Sequence, residues 1–109
     1  MEQLDQEIIS WIAEQTHDEA LSAQLVNAAV SRRDYMRTGF FIYFQVPENL
    51  AKVSASVRPV CPHIESPELM DGAGCTLFFQ EGFLHYLEIY ARGGFFPESI
   101  EQYQLRAAE

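Results

Sequence analysis

The chain has 109 residues, 48% of them apolar and 13% aromatic, with sixteen acids against seven bases and a net charge of −9. That length and composition describe one packed domain, 1–109, which needs neither disulfides nor a metal to fold and is too apolar to be disordered. The charge repels phosphate backbones and argues against direct nucleic-acid binding, and no apolar run reaches the roughly 18 residues of a membrane span.

Leu4, Ile8, Trp11 and Ile12 recur at helical spacing and predict an amphipathic helix over 3–14. The opening stretch MEQLDQEIISWIAEQ carries acids where an export signal carries bases, so a cytoplasmic protein is expected. Thr16 followed by Glu19 matches a capping box for a second helix. That helix is expected to run to Arg33 and to bury Leu21, Leu25, Ala28 and Ala29, with early acids and late Arg32 and Arg33 suiting its dipole.

After Gly39 the period changes to alternation, and twelve of the fourteen aromatics follow, so this half is the sheet. FFIYFQV over 40–46 reads as a strand, with KVSASVR over 52–58 as its hairpin partner. Pro59, Pro62 and Pro67 make 59–74 a long irregular connection. A second hairpin joins 75–80 to 83–91 around Glu81 and Gly82, whose glycine supplies the positive φ of a tight turn. Pro97 opens a short terminal helix carrying Ile100, Tyr103 and Gln104. The expected fold class is α+β, with two N-terminal helices on one face of a four-stranded antiparallel sheet and a short C-terminal helix or turn.

Alternation separates the two faces of that sheet. Phe40, Ile42, Phe44, Leu77, Leu87 and Ile89 fall on the uniformly apolar side assigned to the helices. Phe41, Tyr43, Phe78, Tyr86 and Tyr90 fall on the other side with Glu88, and two helices cannot also cover that side. Ring-rich exposed surface of this kind has the composition of an interface centre unless the 59–74 connection or the tail folds over it. Phe95 and Phe96, after two glycines, turn either onto that face or into the margin of the core.

Little in the sequence points to bond-making chemistry. Cys61-Pro62-His63 with Cys75 lacks a fourth ligand and any standard zinc spacing, so no metal is expected, and both thiols read as reduced core residues. DGAG, 71–74, has no phosphate-loop lysine and reads as a turn, so no nucleotide cofactor is expected. Glu88 between two tyrosines could act as an acid or base, but an ion pair with Arg58 or Arg92 is the commoner arrangement, and His85 falls on the opposite face in regular alternation.

TGFFIYFQV and PHIESPELMDGAGCTLFFQEGFLHYLEIYARGGFFPE together resemble a group of small, mostly uncharacterised bacterial proteins. The most specific pieces are LEIY, 87–90, and FPE, 96–98, and the likeness covers the last two thirds of the chain. The resemblance implies an α+β fold and, as for some of those proteins, an immunity role against a secreted toxin; it supplies no catalytic residues.

The functional expectation is a non-enzymatic acidic module that neutralises a basic, nuclease-type toxin, with no cofactor. The candidate contact residues are the five rings and Glu88, together with Glu14, Asp18, Glu19, Glu65, Glu68 and Asp71. The alternatives are a small-ligand-binding protein or enzyme using the aromatic face with Glu88, and a homodimer of structural role.

Overall fold

A computed structural model describes residues 1–108. Two helices, α1 (Gln3–Gln15) and α2 (Glu19–Asn27), precede six strands: β1 (Ala29–Tyr35), β2 (Gly39–Gln45), β3 (Pro62–Glu65), β4 (Ala73–Gln80), β5 (Phe83–Ala91) and β6 (Gln104–Ala107). The strands form one antiparallel sheet in the order β1-β2-β5-β4-β3-β6. The α+β class and the pair of helices agree with the sequence reading, whereas the sheet has six strands rather than four.

Each departure has a local cause. The second helix ends at Asn27, and Arg32 and Arg33 stand on β1, paired with Tyr43 and Ile42. Alternation points Arg32 outward and Arg33 inward, where it meets Asp5 of α1 at 2.7 Å. The cap of α2 is Asp18, which accepts from the Leu21 amide, while Thr16 Oγ1 accepts from the Asp18 amide. The 52–58 segment is not a strand, because its serines bond locally: Ser54 Oγ accepts from the Ser56 amide, and Arg58 bonds the Ala55 carbonyl. The place it was expected to take beside β2 is held by β1.

Within the expected irregular connection, β3 forms with Pro62 as its first residue, where a missing N–H interrupts least of a ladder. The expected terminal helix is a strand, β6, laid along β3 with Pro62 opposite Ala107 and Glu65 opposite Gln104. Glu68 Oε2 accepts from the amides of Glu101 and Gln102, and Ser66 donates to the Gln102 carbonyl, so these groups are held away from any helical pairing. The β4–β5 turn matches its expectation, with Glu81 at φ 53° and Gly82 at φ 86°.

One core lies between the helices and the inner sheet face, with Ile8, Ile12, Leu21, Phe40, Ile42, Leu87 and Ile89 essentially inaccessible. Phe96 joins it, 5.3 Å edge-on to Phe40, while Phe95 stays 69% exposed. The glycine pair therefore delivers one ring to the core margin and one to solvent. Gln24, fully buried on α2, donates to the carbonyls of Ala51 and Gly82 and accepts from the Leu84 amide. It ties the helical layer to the β4–β5 turn and to the connection beside it. The molecule measures 40 × 28 × 20 Å, and the short dimension holds one helical layer and one sheet, which pack about 10 Å apart.

Candidate protein-binding surface

The outer face of the sheet is laid out by register. Arg32, Tyr43, Tyr86 and Phe78 form one cross-strand row, and Asp34, Phe41, Glu88 and Thr76 the next. Tyr90 then lies over Gly74, where an added Cβ would meet the tyrosine oxygen at 2.5 Å. Tyr86 is the hub of the rings: its centroid is 4.5 Å from Phe78 in a stack, 5.5 Å from Tyr43 and 5.8 Å from Phe41. The guanidinium of Arg32 sits 4.3 Å from the Tyr43 centroid. Phe41, Tyr43, Phe78, Tyr86 and Tyr90 are all half-buried; the first four pack on one another and Tyr43 against Arg32, while Tyr90 lies against Gly74 and beneath Arg92. The tail does not lie over them, since it pairs with β3 at the far edge.

A register shift between Phe78 and Phe79 changes the membership of this face. Phe78 faces Tyr86 but Phe79 faces Leu84, so His85 is the extra residue of a bulge. Leu84 turns into the core, at 2% exposed, and His85 joins the outer face, 5.9 Å from Tyr43 and 5.2 Å from Tyr86. Regular alternation along β5 puts Leu84 on the outer face with Tyr86, and His85 on the inner one, the reverse of the arrangement found. No composition signal marks the bulge; it follows from the Gln24 bond to the Leu84 amide and from the space Leu84 fills.

The outward charges of the sheet face cancel once Arg92, just past β5 and over the Tyr90 ring, is counted with the strands. Arg32, Arg92 and Arg106 stand against Asp34, Glu65 and Glu88, with Arg32 paired to Asp34 at 3.0 Å and Arg106 to Glu65 at 2.9 Å. Arg92 donates to Nδ1 of His63. Glu88 has no ion pair among the described residues, so neither Arg58 nor Arg92 neutralises it. The acid excess therefore lies on the helices, loops and turns. Residues 1–31 contain no Lys or Arg, and Glu2, Glu7, Glu14 and Glu19 are exposed there. The one arginine beneath this layer, Arg33, is occupied by Asp5.

The twelve candidate contact residues thus fall into separate places. The five rings and Glu88 share the outer sheet face. Glu14 and Glu19 lie on the helical layer behind it, and Asp18 is occupied as a helix cap. Glu65 borders the rings' far side on β3 and is paired. Glu68 holds two tail amides, and Asp71 is exposed in the turn before β4, beside Gly93.

A cleft of about 760 Å³ opens at this β3–β6 end between His63, Glu65, Asp71, Glu101 and Tyr103. None of the rings of the outer face lines it. Cys61 and Cys75 are free, and burial raises both thiols above their ordinary range. Among the described residues no group of His, Cys, Asp and Glu converges as a metal site, and no helix is long and apolar enough to cross a membrane. No family model, curated protein or solved structure matches the chain.

The acids at the tail carry a testable pH response. Tyr103 donates to Glu7 at 2.6 Å and Gln3 to the same carboxylate, and both bonds lower the Glu7 pKa; the Gln102 and Glu101 amides lower that of Glu68. Groups whose pKa is depressed on folding stabilise the fold above their unfolded value, here 4.5, and lose that contribution as pH falls through the lower folded value. Below pH 4.5 the β6 amides should therefore lose hydrogen-exchange protection before those of β2 and β5. Simultaneous loss in all three strands would contradict this.

Proposed function

We propose that the protein is a non-catalytic acidic module that binds and neutralises a basic protein, of the nuclease type, in the manner of an immunity protein. The observation that carries this reading is the segregation of charge: the outer sheet face is balanced, and the whole excess of acids is presented elsewhere, above all by a helical layer without an exposed base. A surface of one sign speeds encounter with a basic partner and can stand where the phosphates of its substrate would. Glu14 and Glu19, exposed and free of hydrogen bonds among the described residues, are the proposed contacts on this layer, with Asp71 at the β3–β6 end.

The test is capture from the native host followed by assay of the captured protein. A basic nuclease should be retained at low salt, be inactive while bound and be released as salt rises. Its association rate should fall roughly tenfold or more between low and high salt. The variant Glu14→Lys/Glu19→Lys should slow association further and flatten the salt dependence. Capture that is indifferent to salt and to this variant, or a bound protein that keeps its activity, would remove the reading.

A further inference from the structure

We propose that the aromatic face of the sheet is the contact between two copies of this chain, packed sheet to sheet with both helical layers outward. The face is broad and uncovered. The molecule's 40 × 28 Å outline admits the burial of roughly 800 Å² per partner that a stable interface needs. Its centre is a ring cluster around Tyr86, joined by Phe41, Tyr43, Phe78 and His85, rings that bury much area and of which the two tyrosines and the histidine keep polar ends.

Charge selects the occupant. A basic protein is drawn to acids, yet the charges of this face, Arg92 beside Tyr90 included, sum to zero, with arginines and carboxylates already paired at the two edges. A surface that meets its own copy must be neutral or self-complementary, because two-fold symmetry brings identical patches together. Two molecules of charge −9 repel each other least where the facing surfaces carry no net charge. The edge strands offer a poorer route: Arg32 and Asp34 flank a bulged β1, and β6 is four residues long, both features that discourage edge pairing. Sheet-to-sheet packing would leave the acidic helical layers of both copies free, so the dimer would be bivalent toward the basic partner of the proposed function.

Salt separates the two contacts. Screening weakens attraction between an acidic and a basic protein but relieves repulsion between two acidic ones. Sedimentation of the purified chain alone, over a concentration series at low and high salt, should show a dimer that tightens as salt rises. Tyr86→Lys should make it monomeric while leaving the circular dichroism spectrum and capture of the basic partner in place. Phe41→Lys, at the margin of the cluster, is the second variant should Tyr86→Lys fail to fold, and should weaken the dimer at least tenfold. A monomer at every concentration, a dimer that dissociates with salt, or one that survives both substitutions would overturn the proposal without touching the acidic helical layer.

Discussion

Asp5→Ala should lower the stability of the fold by about 3 kcal/mol, read as a shifted denaturant midpoint. Asp5 is inaccessible to solvent on α1, and its two oxygens receive Nε and Nη2 of Arg33 at 2.7 and 3.2 Å. The same guanidinium lies 3.8 Å from the centroid of Phe40, so it is locked between a carboxylate and a core ring. Removing the carboxylate leaves a largely buried cation without a partner, whereas removing both charges removes the desolvation cost together with the attraction. Asp5→Leu/Arg33→Met should accordingly recover most of the loss, and a double variant as unstable as Asp5→Ala would show that the pair matters through packing alone.

Burial raises the Asp5 pKa, and the hydrogen bond and charge of Arg33 oppose that shift without cancelling it. A group whose pKa is raised on folding favours the fold below its unfolded value, 3.8 here, and withdraws that contribution as pH rises through the folded value. Acid loosening therefore starts at Glu7 and Glu68 rather than at this buried pair.

Gln24→Leu is expected to cost about 2–3 kcal/mol although it exchanges a polar core residue for an apolar one. The side chain satisfies the Leu84 amide in the core and the Ala51 and Gly82 carbonyls; only Gly82 keeps another donor, the Val53 amide. Gln24→Glu tests the assignment more sharply. At neutral pH a carboxylate would still accept from Leu84 but would face two carbonyl oxygens, so this variant should be less stable than Gln24→Leu and should gain on it in acid, where a protonated carboxyl can donate. Equal stability of the two at all pH values would mean that the hydrogen bonds contribute nothing net.

How far these features could be read in advance depends on the range of the interaction behind them. The inner row Phe40, Ile42, Phe44 and the outer row Phe41, Tyr43 follow from alternation within β2, a strand held on both sides by neighbours. The same rule failed at Leu84 and His85, because the bulge depends on a glutamine 60 residues away. Arg32 and Arg33 looked like the end of a helix because their sign suits a dipole, and only the carboxylate 28 residues earlier shows why they stand on a strand. Lys52 to Arg58 alternates as a strand does, yet serine hydroxyls satisfied the backbone locally and the place beside β2 was taken by β1.

The sequence by itself determined the α+β class, the pair of helices, the β4–β5 hairpin and the acidity of the first third, because each depends on periodicity, turn chemistry or charge carried within a few residues. Only the tertiary structure decided that the tail is a sixth strand, that one phenylalanine of the pair closes the core, and that the rings and the helical acids lie on opposite sides of the molecule. Those outcomes rest on contacts between distant segments, where Glu68 meets the 101–102 amides and Asp5 meets Arg33, and no local pattern encodes which partner a buried polar group will find.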